Sequence, residues 1–181
     1  MKYRILGRTG FRISEIGFGT WPMGGDAWGK TDDRESIKAL NLAVDLGLNF
    51  IDTALAYGDG HSEQVIGKVI KTRSEKIYIA TKIPPKNQIW PAKKGSRLRD
   101  VFPRDYIIDC TNRSLKNLDI DTIDLQQFHT WQDGWASDPE WQETVAWLKD
   151  QGKVKSIGIS MNDYEPWNGI AAAMTGKVDA F

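Results

Sequence analysis

Four side chains of this sequence make chemical sense as a set: Asp52, Tyr57, Lys82 and His129. The first two sit in LNFIDTALAYGDGHSEQVIGKVI, residues 48–70; Lys82 sits in IYIATKI, and His129 follows IDLQQF. A phenol whose ordinary pKa is about 10 is an inefficient proton donor at neutral pH. A lysine ammonium a hydrogen bond away stabilises phenolate and lowers that value, and an aspartate beside the lysine keeps it charged and oriented. An imidazole can donate to a carbonyl oxygen and fix its approach. Such a set would protonate a carbonyl oxygen while something else delivers hydride to the carbon. None of these side chains carries hydride; a nicotinamide cofactor does.

Taken singly, each residue has an ordinary reading. An aspartate after a strand is usually a turn or cap residue, a lysine at a strand end is usually solvated, and a tyrosine can pack on a helix. What argues for a set is the elements that position them. Residues 3–6 and 11–14 flank Gly7-Arg8-Thr9-Gly10 and read as a β-hairpin. Residues 16–20 form a first core strand. A helix capped by Asp32 or Asp33 runs to about residue 46, with Ile37, Leu40 and Val44 on one face, and Gly47 ends it. Residues 48–53 form a second strand. Ser62 is expected to cap a second helix carrying Val65, Ile66, Val69 and Ile70. Residues 77–83 form a third strand, and Pro103 suits the first turn of a third helix. A fourth strand spans 123–128, a helix 140–150, a fifth strand 154–160 and a helix 163–174. A sixth strand begins at 178.

Strands alternating with helices imply parallel βαβ units, and their apolar runs suit a sheet covered on both faces. A doubly wound sheet would want a glycine-rich phosphate loop after an early strand. The first strand leads instead into GFGTWPMGGDAWG, where the third glycine of that pattern would fall on Pro22. The (β/α)₈ barrel is therefore the expected architecture. Gly19, Thr20 and Trp21 would follow its first strand, Asp52 and Tyr57 its second, Lys82 its third, His129 its fourth, and Ser160 with Asn162 its fifth. In a barrel all these ends meet on one face, where barrel enzymes keep their active sites.

Composition removes other classes. The formal net charge is zero and no basic cluster is interleaved with aromatics, so nucleic acid is not an expected partner. No run has the length of a signal-peptide core or a membrane span. The single cysteine, Cys110, excludes an internal disulfide and reads as a packed thiol in a reducing, cytoplasmic setting. No cluster of side chains suggests a metal site.

On these motifs the chain resembles the aldo-keto reductase superfamily over essentially its whole length. LGRTGFRISEIGFGTW is similar to the opening hairpin and first strand of that family, and GKVKSIGISMN to the segment that holds the nicotinamide carboxamide. The resemblance implies an NADP(H)-dependent (β/α)₈-barrel oxidoreductase acting on a small-molecule carbonyl substrate. It implies Tyr57 as general acid, Lys82 and Asp52 as its tuning pair, and His129 as the carbonyl-orienting group. It assigns Gly19, Thr20, Trp21, Asp52, Ser160 and Asn162 to the cofactor; Met161 intervenes between Ser160 and Asn162, which makes Ser160 the firmer of the two. Trp21, Trp28, Trp90 and Trp131 are expected to wall the substrate pocket, and Trp135 to lie on the same side. Trp141, Trp147 and Trp167 are expected to pack on helices. The loop PPKNQIWPAKKGSRLRD is expected to be a solvated insertion rather than a lid. A complete barrel needs eight strands and typically about 250 residues. The expectation is therefore one barrel domain over 1–181, truncated at its C-terminal end and inactive by itself. The alternatives are a non-catalytic nucleotide-sensing subunit and an inert fragment.

Overall fold

The computed structural model describes residues 1–25, 29, 31–161, 165 and 167–181. Two short strands, β1 (Tyr3–Ile5) and β2 (Arg12–Ser14), pair antiparallel as the hairpin. Then follow β3 (Phe18–Gly19), α1 (Asp33–Asp45), β4 (Phe50–Asp52), α2 (His61–Ile70) and β5 (Tyr78–Ile83). The remainder is α3 (Leu98–Val101), α4 (Arg104–Leu118), β6 (Ile123–Phe128), α5 (Pro139–Asp150), β7 (Val154–Ile159) and α6 (Ile170–Met174).

β3 to β7 form one parallel sheet whose spatial order is its chain order. A doubly wound sheet reverses its strand order partway; this sheet never does, which is the winding of a barrel. Ala180 bridges in parallel to Gly158 on the outer side of β7, extending the same order toward a sixth strand.

Side-chain parity separates two layers. Ile51, Ile79, Ile83, Phe128, Ile157 and Ile159 point outward and join the large core under the helices. Phe50, Ala80, Leu125 and Ala180 point to the concave side and gather in a second cluster with Leu6 of the hairpin. Strand side chains alternate faces, so Asp52, Lys82, Gln127 and Gly158 belong to the concave side, one layer nearer the strand ends. The hairpin braces the opposite end: the Tyr3 hydroxyl donates to the Gly47 carbonyl, and Arg8 N–H to the Asp179 carbonyl.

The expected helix starts hold at α1, where the Asp32 carboxylate accepts from Arg34 N–H, and at α5, where Asp138 caps in the same way. α2 differs. Gly60 is its N-cap, and Ser62 lies inside the first turn, fully buried, with its hydroxyl committed to other strands. The expected helix over 163–174 is also shorter: α6 covers Ile170–Met174 and follows Gly169 with a φ of 139°.

Candidate active site

Asp52 ends β4, and the loop behind it turns at Gly58, Asp59 and Gly60, all with positive φ. Tyr57 precedes this left-handed run. Its placement is fixed by a backbone contact: a Cβ on Gly58 would stand 2.5 Å from the Gly24 carbonyl oxygen, and one on Gly24 2.7 Å from Gly58 N. Only glycines let these two loops touch. Behind the loop, the Ser62 hydroxyl lies 2.8 Å from Thr20 Oγ1 and 3.0 Å from Thr53 Oγ1, and the Thr20 hydroxyl donates to the Asp52 carbonyl. This buried hydroxyl cluster ties the ends of β3 and β4 to α2.

Lys82 is 5% exposed. Its ammonium donates to Asp52 Oδ1 at 2.5 Å and to the Thr53 carbonyl at 2.8 Å, and stands 5.3 Å from the Tyr57 ring centre. Burial pushes its pKa down and the Asp52 carboxylate opposes that shift. Among the described residues the Tyr57 hydroxyl has no hydrogen bond to Lys82, and its pKa is pushed up to about 12, by burial first and by the Asp52 charge second. The expected lowering of the phenol by Lys82 is therefore corrected: the ammonium is occupied by the carboxylate and a backbone carbonyl.

His129 follows β6, with its ring edge-on to Tyr57 at 5.9 Å and to Trp90 at 5.7 Å between centroids. Burial, and the Lys82 charge after it, push its pKa down to about 3, so the ring is neutral at physiological pH. Its Nδ1 is buried and unpartnered among the described residues. Nε2 is the ring nitrogen that is not enclosed, and so the one able to face a ligand.

Tyr57 and His129 share a hollow of about 520 Å³ with Trp21, Ala56, Gln88 and Trp90. Trp21 stacks on Tyr57 at 6.3 Å. A larger cleft, about 660 Å³, lies between 94–99 and 132–138 but holds none of the four groups. Gln88, Ala56 and Gln127 were not singled out from sequence. An uncharged residue in a loop or strand carries no signal of chemistry without its neighbours.

The tryptophans divide. Trp21 and Trp90 line the hollow as expected. Trp131 does not: it is 1% exposed, packed against Phe128, Trp135 and Trp141, because the chain after β6 turns inward over α5. Trp135 is buried likewise and donates from Nε1 to the Ser96 carbonyl. Trp141 and Trp147 pack on helices, whereas Trp167 is largely exposed. Trp28 and Asn162 lie outside the described residues. Gly19 and Trp21 stand at the strand-end rim, and Ser160 follows β7 half-buried, while Thr20 is fully buried and serves Asp52 through the hydroxyl cluster.

The loop after β5 is exposed to solvent at most of its residues, as expected, but it is tethered to the site at Trp90 and Ala92. Trp90 Nε1 donates to the His129 carbonyl, Ala92 N–H to Thr130 Oγ1, and Gln132 Nε2 to the Ala92 carbonyl. It forms one wall of the hollow. Among the described residues there is no group of His, Cys, Asp or Glu able to hold a metal ion, and no helix long and apolar enough to cross a membrane.

The model of the aldo/keto reductase family matches residues 15–179. The chain is 40% identical over 162 residues to the aldo-keto reductase YhdN of Bacillus subtilis (strain 168), covering 88% of this chain and 47% of that protein. It is 33% identical over 155 residues to the methylglyoxal reductase YeaE of Escherichia coli (strain K12), covering 84% of this chain and 47% of that one. It superposes with a TM-score of 0.68 on an aldo-keto reductase from Klebsiella pneumoniae solved in complex with NADPH, at 27% identity, covering 94% of this chain and 53% of that chain. The chain spans about half the length of the curated relatives it matches.

Proposed function

The chain belongs to the aldo/keto reductase family, and from that membership we propose that the protein reduces an aldehyde or ketone to an alcohol using NADP(H), with Tyr57 as proton donor. The observation that carries this reading is the meeting of Tyr57, His129, Lys82 and Asp52 at one rim of the sheet, phenol and imidazole facing a common hollow. The rim suits a flat heteroaromatic ring. A Cβ on Gly19 would meet nothing within 4 Å, so the backbone there is open to close approach, and the Trp21 indole is 52% exposed beside it. Gly19, Trp21, Asp52 and Ser160 would hold the nucleotide, with Thr20 acting from beneath and Asn162 following two residues after Ser160. When bound, the nicotinamide supplies hydride.

The chain's own residues do the rest. Neutral His129 donates from Nε2 to the substrate oxygen and orients it. Hydride addition turns that oxygen into an alkoxide, a stronger base than phenolate, so the Tyr57 proton moves to it even from a phenol whose pKa is about 12. The Lys82 ammonium, 5.3 Å from the ring centre, steadies the phenolate left behind, and Asp52 keeps that ammonium charged. Trp21 and Trp90 shed water from the site and offer flat apolar walls to the substrate.

The test is Tyr57→Phe in the full-length protein. Turnover should fall by about 10²- to 10⁴-fold, the usual worth of a positioned general acid, with nucleotide binding retained. Unchanged turnover would remove Tyr57 as the donor. Wild-type protein that binds NADPH yet reduces no carbonyl would favour the nucleotide-sensing alternative.

A further inference from the structure

The concave layer that holds Lys82 has a neighbour outside the four-residue set. Gln127 lies two residues before His129 on β6, is 8% exposed, and is in register with Lys82 on one side and Gly158 on the other. Its Nε2 approaches Asp52 Oδ2 at 3.4 Å, while Asp52 Oδ1 is taken by Lys82 at 2.5 Å. Gly158 makes room for it: a Cβ there would stand 2.9 Å from Gln127 Cγ and 3.2 Å from the Ala180 carbonyl oxygen. Its φ is not left-handed, so the glycine answers to space and not to backbone strain.

Building on the reductase reading above, we propose that Gln127 is a positioning residue for proton transfer, its amide tethering the second Asp52 oxygen so that the carboxylate keeps facing Lys82. A carboxylate held through one oxygen can rotate about its last bond. The ionisable groups around it are Lys82 from β5, Tyr57 from the loop after β4, and His129 at the end of β6. Rotation toward Tyr57 would weaken the ion pair and set the negative charge against the phenolate that forms during reduction. A neutral amide suits the task. It donates to the carboxylate without adding a charge that would compete with Lys82 for it or repel it.

The test compares wild type, Gln127→Leu and Gln127→Glu in the full-length protein by two readouts: the pH profiles of kcat and KM, and the titration midpoint of the Lys82 ammonium followed by ¹⁵N NMR, assigned with Lys82→Arg. Gln127→Leu should lower kcat by about 10- to 100-fold, the scale of a small misplacement at a reacting centre, with a smaller change in KM. It should also lower the Lys82 midpoint, because the carboxylate no longer stays on the ammonium. Gln127→Glu should raise that midpoint. Its activity should be poor at neutral pH and recover as the pH falls, when the introduced carboxyl protonates and can donate as the amide did. An unmoved Lys82 midpoint in Gln127→Leu overturns the proposal whatever the rates, since a space-filling side chain would leave it in place. So does a Gln127→Leu kcat equal to wild type. If wild type turns over no carbonyl while the midpoint still moves, the reductase reading fails and the tether stands.

Discussion

At the scale of single residues the site separates charge from neutrality. Lys82 and Asp52 form an ion pair between a buried ammonium, 6% exposed, and a carboxylate that keeps 36% of its surface, so removing the lysine leaves a charge that water still reaches. Lys82→Met should therefore lose turnover, with a stability loss smaller than the ~3–5 kcal/mol of a fully enclosed pair, read by denaturant unfolding. His129 is held neutral by burial, with a folded value of about 3 against an ordinary 6.5. A depressed folded value means that the stability linked to this group is fully present above pH 6.5 and is lost as the pH falls toward 3. Thermal unfolding of His129→Gln between those limits should depend less on pH than that of wild type; parallel curves would argue against a buried neutral ring. The four ionisable residues could be singled out because they follow successive strands, each being ordinary there by itself. Trp131 was misplaced because position along the chain says which end of the sheet a residue follows, not whether the chain then turns inward. The state of the phenol was misjudged for a related reason: sequence does not reveal that the ammonium has two closer acceptors.

At the scale of elements, the long strands and helices followed from pattern, and β6 begins and ends at the expected residues, Ile123 and Phe128. The short strands did not. β3 and β4 are only two and three residues long, because loop backbone and side-chain hydroxyls take over their pairing. The hydroxyl cluster around Ser62 predicts a specific cost. Ser62→Ala leaves the Thr20 and Thr53 hydroxyls short of a buried partner, worth about 1–3 kcal/mol, and should loosen the end of β4. Urea unfolding gives the first quantity, and hydrogen exchange at Thr53 N–H, which donates to the Ala80 carbonyl, gives the second. Gly58→Ala is the harsher change. Its φ of 63° and its contact with the Gly24 carbonyl both oppose a Cβ. We expect about 1–3 kcal/mol lost from backbone strain alone, with kcat lowered more than in a variant equally destabilised elsewhere. Equal losses in the two variants would mean that the glycine contact does not position Tyr57. Neither device was visible from sequence, where Ser62 reads as an ordinary helix cap and Gly58 as an ordinary turn.

At the scale of the whole molecule, the barrel was legible because strands and helices alternate without a phosphate-loop signature, and the uninterrupted strand order agrees with it. The hollow is walled by the loops after β3, β4, β5 and β6. The rim beyond β7 is represented among the described residues by Ser160, Met161 and the bridge at Ala180. The chain spans about half the length of its curated relatives, and from that we expect a polypeptide of residues 1–181 expressed by itself to grip NADPH weakly and to give no rate comparable to such a relative. Fluorescence titration and an NADPH-oxidation assay check this, and tight binding or brisk turnover would contradict it.

The neighbour-to-neighbour order of the parallel strands bears on how the chain reaches its native state. Each strand of the parallel sheet docks on the one made just before it, so those pairings close loops of one helical unit, and only the hairpin waits for a distant partner, the Asp179 carbonyl that accepts from Arg8 N–H. As the polypeptide leaves the ribosome from its amino end, Asp52 meets Lys82 once β5 has joined β4, and His129 arrives one unit later. The buried ammonium thus gains its counter-charge from a strand synthesised earlier, and an ion that would be costly to enclose alone is matched as its own strand docks.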